Sequence, residues 1–168
     1  MLNKLKKSDN KGFTIIEVMI VLAIAGLIIL IVLLAVPALQ RNGRNTAIKN
    51  DASALTAAVA EYASNNDGNI ADAGNSSQAG ATVTVNGLVG GSAANKATAK
   101  VQGSTTVTFS DGASSQTPAS GNIYVEYKAK CPASVSGTSV LPVGANRSTA
   151  VIYSIELSGA NAVKCIDS

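Results

Sequence analysis

The sequence predicts an α+β fold in which one long N-terminal α-helix packs on a small C-terminal antiparallel β-sheet. Three observations carry this expectation. Residues Val18–Leu39 form an apolar run without a charged side chain. Ile48, Ala52, Leu55, Val59 and Tyr62 then recur at three- and four-residue spacing, the period of one helix face. Nearer the C-terminus, Ile123–Cys131 alternates apolar and polar residues, the period of a half-buried strand.

The chain opens on a short basic stretch, Lys4, Lys6, Lys7 and Lys11 against Asp9, followed by Gly12 and then Phe13-Thr14-Ile15-Ile16-Glu17. The apolar run comes next. At about 1.5 Å per residue, roughly twenty helical residues cross a hydrocarbon core of about 30 Å. The basic stretch is expected to stay cytoplasmic, which places the C-terminal side outside. A secretory signal peptide carries its cleavage site after the apolar region, and no such site follows Leu39. Gly12 lies before the run instead, so a cut after it leaves the apolar helix on the mature chain.

Glu17 is the informative residue of this segment. A carboxylate at the bilayer centre costs about 2.5–3.5 kcal/mol, less near the interface. The run holds no Lys or Arg to offset that cost. A cut after Gly12 would create an α-amino group on Phe13, a cation near neutral pH. It would lie one helical turn from Glu17 in the same chain and within reach of Glu17 in a neighbouring copy. The plainer reading leaves Glu17 at headgroup level in an ordinary signal anchor. Gly26 and Pro37 interrupt the run. Gly weakens a helix by about 1 kcal/mol, and Pro removes a hydrogen bond and clashes with the preceding turn, although membrane helices tolerate both.

Arg41 and Arg44 follow the run, as solvated residues or as contacts to neighbours. The helix then continues in amphipathic form, with Lys49, Asp51, Ser53, Thr56 and Glu61 expected off the apolar stripe. It should stop at Asn65-Asn66-Asp67-Gly68, with Gly68 as a left-handed cap. Residues 69–122 are poor in charge and rich in Gly, Ser, Thr, Ala and Asn. They read as a long connection with short strands at Thr82–Val85 and Thr105–Phe109. In Ile123–Cys131, one face takes Ile123, Val125, Tyr127, Ala129 and Cys131, and the other takes Glu126, Lys128 and Lys130. Thr149–Leu157 follows with Val151, Tyr153, Ile155 and Leu157 on one face, then Ala162–Ile166 with Val163 and Cys165 together. The even pair Cys131 and Cys165 reads as one disulfide in an exported chain, or as two reduced buried thiols in a cytosolic one. As a bond it would close a loop of about 33 residues and contribute about 3–4 kcal/mol.

Composition narrows the function classes. The formal charge of +3 is concentrated at the start, and without residues 1–12 nine basic and nine acidic residues remain. Such a balance offers no dense phosphate neutralisation, so no nucleic-acid site is expected. The chain has no His, which removes the commonest general base and metal ligand. Gly90-Gly91 lacks a following Lys-Ser/Thr, so there is no phosphate loop. Asp67 and Asp72 are scattered and form no calcium loop. No catalytic residue, cofactor or metal site is expected. Asn75-Ser76-Ser77 and Asn146-Arg147-Ser148 match the N-glycosylation pattern as chance would produce it in a Ser- and Asn-rich chain.

The stretch Lys11-Gly12-Phe13-Thr14-Ile15-Ile16-Glu17-Val18-Met19-Ile20-Val21-Leu22-Ala23-Ile24 resembles the prepilin processing motif of the type IV pilin family. The resemblance covers roughly residues 4–64 and is most specific at Gly12–Glu17. It implies a pilin-like fold. It also implies a prepilin peptidase that cuts after Gly12 and methylates the amine of Phe13, and a role for Glu17 in assembly. The chain would divide into a removed leader (1–12), a transmembrane and filament-core helix (13–39), an amphipathic half-helix (40–66) and a globular β domain (67–168). Gly26 and Pro37 become candidates for a stretch, Ala25–Pro37, that loosens on polymerisation. Cys131–Cys165 resembles the disulfide-closed C-terminal loop of that family, with Pro132–Arg147 as its exposed tip. The implied partners are further copies of the chain in a helical homopolymer, the prepilin peptidase, the inner-membrane assembly machinery, and the membrane before assembly. The implied location is the cytoplasmic membrane as a single-pass subunit, then an extracellular filament for adhesion, motility or DNA uptake. A pseudopilin of a secretion or competence system shares the same motif. An anchored adhesion domain that never polymerises is the reading from a different class.

Overall fold

The computed structural model describes residues 12–89, 92–93, 95–112, 115–135, 139–140, 144 and 147–167. The basic stretch at 1–11, the Gly90-Gly91 pair and much of the Pro132–Arg147 tip lie outside these. A single helix, α1, runs Ile15–Asn65, and the chain forms two compact units that divide between Leu39 and Gln40.

In the first unit every side chain from Phe13 to Leu39 is exposed. Ile and Val are numerous here and are indifferent helix formers in water. In hydrocarbon the balance changes, because backbone groups must be satisfied within the segment and only a helix does so. The helix is long and apolar enough to cross a membrane. Pro37 lies in its interior.

The second unit has the layered core that the stripe predicts. Ile48, Ala52, Leu55, Val59 and Tyr62 are all buried, joined by Ala58. They pack on strands of two sheets. The first contains β1 (Ser77–Ala79), β2 (Thr82–Val85) and, after the short hairpin of β3 (Leu88–Val89) and β4 (Ser92–Ala93), β5 (Ala97–Lys100). The second contains β6 (Thr106–Asp111) and, beyond the short β7 (Ser115–Gln116), β8 (Asn122–Tyr127). After β9 (Ser139–Val140), which pairs with β7, come β10 (Thr149–Glu156) and β11 (Asn161–Asp167), giving the order β11-β10-β8-β6. The sheet is antiparallel except at β6–β8, which run parallel from Thr106↔Asn122 to Asp111↔Tyr127. Val83, Val85, Val107, Ile123, Val125, Tyr127, Val151 and Tyr153 face the helix. Each such side chain contributes roughly 1.5–3 kcal/mol on burial.

Five details depart from the expected pattern. Asp51, expected off the stripe, is buried; it accepts hydrogen bonds from the Gln102 amide (3.1 Å) and the Thr105 hydroxyl (2.6 Å) and ties α1 to the turn between β5 and β6. Gly68 (φ 74°) caps the helix in the expected left-handed conformation and donates from its amide to the Ala63 carbonyl at 2.7 Å, but Asp67 (φ 55°) before it is left-handed as well. Alternation through β8 breaks at Lys128, whose φ is 59°. That residue turns the chain over, so Ala129 and Cys131 leave the helix-facing core and join Ala150, Ile152 and Val163 on the sheet's other face. Glu126, expected on a polar face, is fully buried on that side. Residues 69–122 carry more strand than expected, because β1 and β5 are built mostly from Ser, Gln, Ala and Lys, with Thr98 the one β-branched residue between them.

Candidate processing and assembly site

Gly12, Phe13 and Thr14 lie ahead of the helix in irregular, exposed backbone. A Cβ built on Gly12 meets nothing within 4 Å, so the fold itself makes no demand for glycine there. Phe13 is 88% exposed. With Glu17, Val18, Val21 and Leu22 it lines a shallow apolar groove on the first turns of α1.

Thr14 ends the irregular stretch for a definite reason. Its carbonyl accepts from the Val18 amide at 3.4 Å, the first helical bond. Its hydroxyl accepts from the Glu17 amide at 3.3 Å. In return Glu17 Oε2 accepts from the Thr14 amide and the Thr14 hydroxyl, both at 2.8 Å. This is a reciprocal capping box, Thr at the cap and Glu three residues on, which satisfies two of the amides a helix start leaves unpaired. A carboxylate at this end also complements the positive pole of the helix dipole.

The box changes the account of Glu17. The sequence directs attention to a charged partner, the amine of Phe13, whereas the structure supplies neutral donors from Thr14. Both bonds end on Oε2, so neither uses Oε1. The pattern was readable: Thr followed three residues later by Glu, directly ahead of an apolar run, is a sequence signature of a helix start.

Gly26 and Pro37 both lie within the continuous helix. A Cβ on Gly26 would meet nothing within 4 Å. Cys131 and Cys165 belong to the second unit and form a disulfide, with Cα atoms 5.7 Å apart and a sequence separation of 34. The Cys131 amide donates to Asp167 Oδ1 at 2.5 Å. Cys131, Cys165 and Asp167 are also the group among the described residues whose ligand atoms lie close enough to suggest a metal. Bonded sulfurs are not thiolates, and the thiolate is the ligand form, so this grouping does not fit a metal ion.

Arg44 and Glu156 were not foreseen as a pair. Arg44 Nε lies 3.0 Å and 3.2 Å from the two carboxylate oxygens and Nη2 lies 2.6 Å from Oε2, and the Ser120 hydroxyl donates to Oε1 at 2.5 Å. These donors, Arg44 first and Ser120 second, hold the Glu156 carboxyl at about 2, well below its ordinary value. With the partners 112 positions apart in sequence, no local pattern could reveal them.

Residues 7–33 match the family model of the prokaryotic N-terminal methylation motif, consistent with a type IV pilin-like prepilin motif. The match covers the motif and much of the apolar run. No curated protein and no solved structure matches the chain significantly.

Proposed function

We propose that the chain is the precursor of a type IV pilin subunit, a structural protein that polymerises through its N-terminal helix into an extracellular filament. The single observation that carries this is the arrangement at the start of α1. A bare, exposed Gly12–Phe13 bond sits in irregular backbone, directly ahead of a capped helix whose first-turn acid, Glu17, opens a charge-free apolar run.

Each part then has a task. Residues 1–12 act as a leader that keeps the N-terminus cytoplasmic and is removed after Gly12. A protease needs an extended, accessible bond, and the Thr14 cap keeps the helix from advancing over it. Glycine at 12 serves the enzyme that reads it, since the fold has no use for it. The peptidase also methylates the new amine of Phe13. Residues 13–39 hold the subunit in the cytoplasmic membrane with the C-terminal unit outside, and then form the filament core. The capping box uses only residues 14 and 17, so it survives the cut and leaves Glu17 Oε1 to receive the Phe13 amine of an arriving copy. That pairing sets the stagger between copies. The assembled fibre serves adhesion, motility or DNA uptake.

The test has two parts. Mass analysis of the N-terminal peptide from the mature protein should give a chain beginning at Phe13 and carrying one methyl group. Glu17→Ala should be cut normally and give no filaments. A mature chain that still begins at Met1, or normal filaments from the Glu17→Ala variant, rejects the reading. Electron microscopy of intact cells separates a pilus from a pseudopilus, which leaves no long surface fibres.

A further inference from the structure

We propose that Glu156 is a latch that keeps the helical turn Arg41–Thr46 wound and so fixes where any loosening of α1 must stop. The turn has little else to hold it. Its sequence, Arg41-Asn42-Gly43-Arg44-Asn45-Thr46, contains four residues of poor helix propensity. A Cβ built on Gly43 meets nothing within 4 Å, so that glycine is not required by packing and its effect is to weaken the helix. The Thr46 hydroxyl bonds back to the Asn42 carbonyl at 2.9 Å, a contact that tends to bend a helix. Pro37, one turn upstream, supplies no amide to the ladder. Burial does not compensate, because Ile48 is the first buried side chain of α1.

What does hold the turn is one residue at the end of β10. Glu156 engages Arg44 through both carboxylate oxygens. Its backbone engages Asn45, whose side-chain amide donates to the Glu156 carbonyl at 2.8 Å and accepts from the Glu156 amide at 2.7 Å. Asn45 thus pairs with β10 as a strand residue would. Glu156 is itself fixed in the sheet by its register with Asn161. Two consecutive helix residues are therefore clamped to a strand end in a turn of poor intrinsic helix propensity. Upstream of the clamp the helix is free to lose turns, and downstream it is held by the core.

The limit on loosening during assembly rests on the filament reading, but the latch is tested without filaments. The full chain in lipid nanodiscs is followed by amide hydrogen exchange. Glu156→Ala and Asn45→Ala should each speed exchange at residues 41–46 by about tenfold or more, while amides of β8 and β10 keep their rates. Gly43→Ala added to Glu156→Ala should slow that turn again. Unchanged exchange at 41–46 in both single variants overturns the latch. Acceleration spread equally through β8 and β10 also overturns it, because Glu156 then supports the whole domain and not this turn. Absence of filaments from the native chain, with exchange at 41–46 raised in the variants as expected, would instead count against the filament reading and leave the latch standing.

Discussion

At the scale of single residues, the chain's important polar groups are those whose hydrogen bonds are spent on backbone. Glu17 and Asp51 look alike in sequence, each an acid set among helix residues. Glu17 lies at a helix start and turns back on Thr14. Asp51 lies about three turns into the second unit and reaches across to Gln102 and Thr105. Removing Asp51 would leave the Gln102 amide without its acceptor. Asp51→Ala should therefore destabilise by about 1–3 kcal/mol, read as a lowered midpoint in denaturant unfolding. Asp51→Asn keeps an acceptor oxygen and should cost less. Equal losses in the two variants would mean that the charge, and not the acceptor, is what matters.

At the scale of elements, the legible parts were those in which one period holds from end to end. The apolar run and the stripe from Ile48 to Tyr62 needed only spacing, and strands β2, β10 and β11 emerged within a residue or so of their expected limits. Illegible parts depend on partners far away or on single backbone angles. Nothing in Ala97-Thr98-Ala99-Lys100 marks a strand until β2 is beside it. The Thr14–Glu17 box is legible as Thr followed three residues later by Glu, but the uncompensated charge of Glu17 points equally to a cationic partner. Lys128 shows how one angle defeats a pattern. Its φ of 59° is left-handed, and it sends Ala129 and Cys131 to the opposite face from Tyr127. A left-handed angle costs a non-glycine residue roughly 1–2 kcal/mol. Lys128→Gly should thus stabilise the domain by up to about 1 kcal/mol, and Lys128→Val should destabilise it by a similar amount, both measured as shifts in thermal midpoint. A loss of stability in Lys128→Gly would show that the lysine side chain contributes more than its angle costs.

At the scale of the whole molecule, the chain joins an exposed apolar helix, long enough to cross a membrane, to a domain with its own core. The Arg44–Glu156 contact belongs to that domain and fastens its first helical turn to its last strands. Its dependence on pH follows from the direction of the Glu156 shift. The carboxyl is held at about 2 against an ordinary value of 4.5, so the native state binds its proton less readily than the unfolded chain. The contribution is complete above about 4.5, where Glu156 is ionised in both states. It falls away as the pH drops toward about 2 and the native carboxylate takes up its proton. From neutral pH down to about 5 the contact should therefore be unaffected. Salt should weaken it modestly, since Arg44 is half exposed. Carbon-13 NMR of the Glu156 side-chain carboxyl should give a titration midpoint near 2 in the native chain, moving back toward the ordinary value in Arg44→Ala. The Ser120 hydroxyl and the positive charge of Arg41 should hold part of the shift in that variant. A native midpoint already near the ordinary value would mean that Arg44 does not engage the carboxylate in solution, and that the backbone pairing with Asn45 alone secures the turn.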